Sequence, residues 1–361
     1  MLVLNGYFQQ IAGLLSAFIL AYISIPSIVT VARSKGLVDK PGGRRVHQET
    51  VPNLGGLAVF AGFTVAFLIF SHFNEYPRFQ FLLAGVIIIF FIGIKDDIMI
   101  IAPITKFLGQ LAAALVVIIP GGIHFTHLHG FFGITELPYL ASVFLSLVVV
   151  LGIINAFNFV DGIDGLCSGL GIISASTYGV WFILHNEYGY ALLAWSLTGA
   201  LIAFFIFNVW GKNYKVFLGD TGAQLVGLVV AVLTIQFNEM NIYGKFSYAI
   251  PSAPSVSFGI LVVPLVDTLR VMFIRSVIRH SLFKADKNHI HHQLLNLGFS
   301  HKKATFTILG INLLFILFVF TICRDVSIRR LMLLILVIAM VLNYVPAYFI
   351  VRKRSRQQRI E

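Results

Sequence analysis

The sequence predicts an all-α, polytopic integral membrane protein with ten or eleven transmembrane helices, the N-terminus outside and the C-terminus cytoplasmic. Three observations carry that expectation. Of 361 residues, 58% are apolar and only 11% charged, at a mean hydropathy of +0.90, against roughly 25% charged residues in an ordinary soluble domain. The apolar residues fall into separate stretches, each near the ~20 residues that carry a helix across a ~30 Å hydrocarbon layer. The basic residues gather at the ends of alternate stretches, and Lys and Arg beside a span are retained on the cytoplasmic side.

In chain order the expected spans are 8–32, 54–71, 79–94, 104–120, 138–157, 166–184, 190–210, 221–237, 250–268, 304–322 and 331–351. The third and fourth are short, which leaves the count between ten and eleven. With the N-terminus outside, 21 of the 26 Lys and Arg residues lie in inner segments, while Arg324, Arg329 and Arg330 crowd one outer loop against the rule. The first span is expected to be retained, since no basic residue precedes it and no small-residue cleavage site closes it. Residues 1–361 read as a single transmembrane domain, with polar motifs from 33 to 303, two further spans over 304–351 and a basic cytoplasmic tail at 352–361. Cys167 and Cys323 fall at opposite faces, too far apart for a disulfide. The net charge of +11 sits beside spans, where it serves topology and anionic headgroups; no nucleic-acid partner is expected.

Ionisable groups in or beside spans are costly, so their placement points to function. Asp96 and Asp97 close the third expected span, Asp161 and Asp164 join the fifth to the sixth, Asp220 opens the eighth and Asp267 ends the ninth. All fall on the inner side. Helix capping explains a single acid at a span end, and Asp220 or Asp267 alone fits it. Adjacent Asp96 and Asp97 fit it poorly, because they repel each other at the negative end of a helix dipole. A cation is needed there. Oxygen ligands without a cysteine cluster favour Mg²⁺, with Mn²⁺ the alternative ion, and Mg²⁺ commonly takes one or two carboxylates plus substrate phosphates.

NAFNFVDGIDGL (155–166) spaces Asn155, Asn158, Asp161 and Asp164 by three, which spreads them over about half of a regular helix. Gly162 and Gly165 permit an open backbone on which these side chains converge on a ligand; a polar hairpin between spans is the simpler alternative. KVFLGDTG (215–222) sets Asp220 between two glycines before a helix, either a phosphate-binding start or an ordinary turn. HIHH (289–292) lies in the largest polar loop. His289, His291 and His292 lack the Cys or Glu partners of zinc motifs and suit a diphosphate, with a surface cluster as the alternative. The first inner loop offers Lys40, Arg45 and His47 as substrate contacts, with positive-inside topology the simpler account of their charge, ahead of a Gly55-Gly56 pair that permits close approach of backbone to lipid phosphate or another helix.

VDKP (38–41), Asp96-Asp97, NAFNFVDGIDGL, VFLGDTG, PLVDT (264–268) and HIHH stand in an order that resembles the polyprenyl-phosphate N-acetylhexosamine-1-phosphate transferases. The resemblance runs from about residue 33 to 303 and implies ten or eleven helices, a cytoplasmic cleft, Mg²⁺, and transfer of a sugar-1-phosphate from a UDP-N-acetylhexosamine to a polyprenyl phosphate lipid with release of UMP. It implies Asp220 as a metal ligand, with Asp97 beside it, Asp96 and Asp97 as the acidic pair, and the HIHH histidines at the diphosphate. It also implies that Asp164, Asn208 and Phe217 border the uracil. The HIHH form and VDKP resemble the UDP-N-acetylglucosamine branch, which acts in the bacterial inner membrane on enterobacterial common antigen, O-antigen or teichoic acid. The muramoyl-pentapeptide branch normally carries a triple histidine and Thr-Pro-Thr-Met-Gly-Gly, where this chain has Val-Pro-Asn-Leu-Gly-Gly at 51–56.

The expected chemistry is attack by lipid phosphate on the sugar-linked phosphorus, with a double displacement through an aspartyl phosphate as the other route. A secondary transporter would gather its carboxylates near mid-bilayer, which the span-end acids oppose. The outer loops are too short to offer a binding protein's partner domain. Sequence leaves monomer and homodimer both open.

Overall fold

The structure, a computed structural model, describes residues 2–38, 51–242, 249–278 and 289–357. Among them the regular elements are helical and no strand forms; His127 and Glu136 pair in an isolated bridge. The helices are α1 (Leu2–Ser34), α2 (Gly55–Phe70), α3 (Phe79–Ile98), α4 (Pro103–Ile118), α5 (Tyr139–Val160), α6 (Leu166–Leu184), α7 (Tyr188–Trp210), α8 (Gly219–Met240), α9 (Ala253–Ile260), α10 (Val262–Ile278), α11 (Ile290–Asn296), α12 (His301–Ile322) and α13 (Ile328–Gln357). Seven are long and apolar enough to cross a membrane, and α9 with α10 makes an eighth if taken as one span. α2 and α4, at 16 residues each, reach only about 24 Å at 1.5 Å per residue.

The chain divides into two compact units, Met1–Thr126 with Pro138–Phe237, and His127–Leu137 with Asn238–Glu361. In the first, α1 packs along α7 and α2, α6 along α7, and α3 against α4. α8 is the most enclosed span: 89% of its apolar window is buried, against 22% for α1. Its buried face runs Leu225, Val226, Leu228, Val229, Val232 and Leu233, so protein surrounds it, whereas α1 is covered on one side only, through Ala17, Ala21, Ile25 and Val29.

A short backbone pairing fixes the start of α2. Gly55 and Gly56 donate their N–H groups to the carbonyls of Phe217 and Leu218, both at 2.8 Å, and the Phe217 N–H donates to Pro52 at 2.9 Å. Such close approach excludes side chains: a Cβ on Gly56 would meet the Gly222 Cα at 2.8 Å. Sequence had associated this glycine pair with close backbone approach, and its partner is the segment leading into α8.

In the second unit, α9 packs on α12 and α13. The expected single span at 250–268 is broken, with an 81° bend between α9 and α10. Pro264 supplies the physical reason, since it has no N–H for the carbonyl four residues back and its ring crowds that oxygen. That carbonyl, on Ile260, instead accepts the Asn312 amide of α12 at 3.2 Å.

Candidate active site

The first unit gathers a polar cluster where α3 and α5 end and α4 and α8 begin. Asp96 stands in the last turn of α3, where its Oδ1 accepts the Ile101 N–H at 3.1 Å and pins the turn into α4. Its Oδ2 lies 3.0 Å from the Lys106 ammonium. Lys106 also pairs with Asp220 and donates to Asn158 Oδ1 at 3.4 Å, while the Asn158 amide donates to Asp220 Oδ1. One ammonium therefore joins Asp96, Asn158 and Asp220 from three other helices.

Asp97 faces a different set of partners. It accepts the N–H groups of Asp220 at 2.7 Å and Thr221 at 3.0 Å, the Thr221 hydroxyl at 2.5 Å and the Asn53 amide at 3.2 Å. The first N–H groups of a helix have no partner within it, and here a carboxylate from another helix receives two of them. Gly219 makes room by adopting φ +74°, where a Cβ would stand 2.6 Å from Asp97 Oδ1 and equally close to the Asn53 carbonyl.

The stretch 155–166 is part helix and part turn. Asn155 and Asn158 remain on α5, whereas Asp161 and Asp164 follow it in the turn before α6. Asp164 is ion-paired with Lys215 at 2.8 Å. The half-buried Asp161 is lifted well above the usual carboxylate range by desolvation, with the charges of Asp220, Asp97 and Asp164 adding to the shift. Asn208 links this turn to the approach of α8, accepting the Gly165 N–H at 2.5 Å and donating to the Val216 carbonyl at 2.8 Å. Beside it, Lys215 lies 5.9 Å from the Phe217 ring centre. Asn155 turns to Gln110, at 3.1 Å.

The second unit holds the histidine motif. Asp267, 1% exposed, meets His289 Nδ1 at 2.8 Å, accepts the Ile290 N–H at 2.9 Å and pairs with Arg270 at 3.1 Å. The His289 and His291 rings lie parallel with centres 5.7 Å apart, and His292 is 4.3 Å from His291. Burial, with repulsion from His292 adding to it, pushes His291 down to about 3. Lys40, Arg45 and His47 lie outside the described residues.

Among the described residues no group of three His, Cys, Asp or Glu side chains is arranged as a metal site. The donor set nevertheless suits a hard cation. Asp220 and Asn158 already turn oxygens toward the Lys106 ammonium, and Mg²⁺ needs few protein ligands when phosphates supply the rest. Asp97, with four hydrogen bonds to its two oxygens, is the poorer ligand.

Sequence reasoning missed Lys106, Lys215, Thr221 and Asn53. The signal for Lys106 was available: a lysine in the first turn of an apolar helix is costly unless paired. It was counted only toward topology.

The glycosyl transferase family 4 profile matches residues 79–238, which include Asp96, Asp97, Lys106, Asn158, Asp164, Asn208 and Asp220. The chain is similar to undecaprenyl-phosphate alpha-N-acetylglucosaminyl 1-phosphate transferase of Escherichia coli (strain K12), at 32% identity over 81% of this chain and 78% of that protein. The Yersinia pestis protein of the same name is 32% identical over 76% and 73%. Decaprenyl-phosphate N-acetylglucosaminephosphotransferase of Mycobacterium tuberculosis (strain CDC 1551 / Oshkosh) is 32% identical over 81% and 78%. With identity at that level across most of both chains, and with the profile spanning the helices that build the carboxylate–lysine cluster, the chain belongs to glycosyl transferase family 4.

Proposed function

We propose that the chain transfers N-acetylglucosamine-1-phosphate from UDP-N-acetylglucosamine to undecaprenyl or another polyprenyl phosphate, releasing UMP, as the first membrane step of a cell-envelope glycan. The observation that carries this reading is the convergence of Asp96, Lys106, Asn158 and Asp220 from four helices. The names of the relatives supply the substrate class.

The reaction asks mainly for positioning. A phosphate monoester with its second pKa near 6 is mostly dianionic at neutral pH, so the acceptor needs little help from a base. Lys106 is placed to hold phosphate oxygen against the repulsion of Asp96 and Asp220. Asp97 fixes the start of α8 and thereby Asp220, while Asp164 with its partner Lys215, Asn208 and Phe217 would border the uracil. Mg²⁺ is part of the proposal, with Asp220 and the Asn158 carbonyl its protein contacts; when bound, it would neutralise the diphosphate and the departing UMP.

We also infer eleven spans, the seven long helices and the α9–α10 pair being joined by α2, α3 and α4. The charge distribution of the sequence supports an outside N-terminus and a cytoplasmic active site at the inner face of the bacterial plasma membrane.

The test is purified protein in detergent with undecaprenyl phosphate, Mg²⁺ and a panel of UDP-sugars. UMP should be released with UDP-N-acetylglucosamine, and only when lipid phosphate is present. Preferential use of the muramoyl-pentapeptide donor would overturn the donor assignment, and no turnover with any donor would overturn the reaction.

A further inference from the structure

One helical turn beneath the Lys106–Asn158–Asp220 cluster, the same three helices meet again through uncharged side chains. On α4, Gln110 follows Lys106 by four residues; on α8, Gln224 follows Asp220 by four; on α5, which runs the opposite way, Asn155 precedes Asn158 by three. Residues three or four apart share a helix face. The Gln110 amide donates to Gln224 Oε1 at 3.0 Å, and the Asn155 amide donates to Gln110 Oε1 at 3.1 Å. Gln110 and Gln224 are 1% and 0% exposed.

The same helices carry buried apolar side chains nearby, among them Ala113 and Ala114 of α4, Ile154 of α5 and Leu225 and Leu228 of α8. Apolar contacts are non-directional, whereas an amide pair holds only at one setting of the two helices. A slide would part these amides in a place where no water can replace the lost partner. The layer thus adds a directional penalty for lost register to the packing around it.

We propose that Gln110 and Gln224 are positioning residues: their buried amide pair, joined by Asn155, sets the axial register of α4 and α5 on α8 and so brings Lys106, Asn158 and Asp220 to one point. Neither glutamine touches that cluster in the bonds described, and each acts through the helix it stands on. Asn155 is held independently, since its amide also donates to the Leu151 carbonyl at 2.8 Å.

The test is a cycle of Gln110→Leu, Gln224→Leu and the double variant, with Gln224→Glu as the conservative control, in the full chain in detergent. Its kinetic arm rests on the transferase reading above. A 1 Å misplacement can cost ~100-fold in rate, so each single leucine variant should lose ~10- to 100-fold in kcat, with KM for UDP-N-acetylglucosamine changed less than ~3-fold. A protonated Gln224→Glu keeps the acceptor that Gln110 uses and should retain most of kcat.

In the double variant both glutamine amides are gone together, and only the Asn155 amide, which keeps the Leu151 carbonyl, still lacks its glutamine acceptor. Its Tm should recover most of the single losses while kcat stays low. Recovery of kcat together with Tm would reduce the layer to a contribution to stability and overturn the proposal. So would wild-type kcat in Gln224→Leu, or Tm losses that simply add in the double. If wild type itself releases no UMP, the transferase reading falls, and the Tm cycle still decides whether the layer couples the helices.

Discussion

Asp97 on α3 caps α8 at Thr221, 124 residues further along the chain, by accepting both its backbone N–H and its hydroxyl. A cap is normally supplied by a side chain at the start of the helix itself, but Gly219, which opens α8, has none to offer. The carboxylate that replaces it ties the end of α3 to the start of α8, and Asp220 is carried between them. Loss of this bond set should therefore lower both stability and turnover. Asp97→Ala should lower the Tm in detergent by several degrees and reduce kcat by at least ~100-fold. Thr221→Val removes only the hydroxyl donor and should cost ~1 kcal/mol, within the ~0.5–2 kcal/mol range of a single cap. Thermal unfolding beside UMP release measures both; an Asp97→Ala protein as stable as wild type would show the cap to be idle.

Gly219→Ala should be more damaging than its size suggests. A left-handed backbone costs an L-residue roughly 1–2 kcal/mol, and the new methyl would press on Asp97 and on the Asn53 carbonyl. The expected result is low yield of folded protein and loss of turnover, read by size-exclusion profile and assay.

Lys106→Met leaves Asp96 and Asp220 without their shared ammonium. Turnover should fall by ~100- to 1,000-fold, the scale seen when one preorganised charge-stabilising group is removed. Lys106→Arg should recover only part of it, because a planar fork cannot take the place of a compact ammonium among three side chains. UMP release at saturating substrate distinguishes the two variants.

Asp96→Asn tests how much base catalysis is needed. Since the acceptor phosphate is dianionic well above its second pKa near 6, direct attack predicts a measurable residual rate that is retained at high pH, with no trapped phosphoenzyme. A labelled protein–phosphate adduct would instead establish double displacement.

Acid should destabilise the protein in part through His291. Its folded value of about 3 lies below the ordinary ~6.5, so as pH falls the unfolded chain takes up a proton first. The stabilising contribution is complete above ~6.5 and is lost as pH falls toward 3, at up to ~1.4 kcal/mol per pH unit. His129, pushed down to about 4 by burial and His127, acts in the same direction. Tm measured from pH 7 to pH 5 should thus fall less steeply in His291→Gln than in wild type, with the remainder owed partly to His129. Parallel curves would place the acid sensitivity elsewhere.

The helical class and the polar gatherings were legible because hydropathy and sparse charge are local properties. The repulsion between Asp96 and Asp97 was legible as well, but the sequence assigned its relief to a metal ion, whereas an ammonium stands against Asp96. What the sequence did not reveal was the different treatment of the two acids: Lys106 stands against Asp96, whereas Asp97 receives backbone N–H groups from α8. That division depends on which residues distant segments bring together. The break at Leu261 was locally encoded by Pro264, yet the hydropathy of 250–268 runs through it unchanged. Asn155 and Asn158 could be picked out, but spacing alone did not separate Asn158, which faces Lys106 and Asp220, from Asn155, which faces Gln110.

The enclosure of α8 governs what its surface can vary. Where 89% of a span's apolar window is covered by protein, neighbouring backbones dictate the volume at each position, and even an Ile-for-Val exchange must find space among packed atoms. On α13, whose window is 22% buried, acyl chains adjust to almost any apolar outline but accept no charge. Random mutagenesis should accordingly find α8 strict about shape and α13 strict only about polarity.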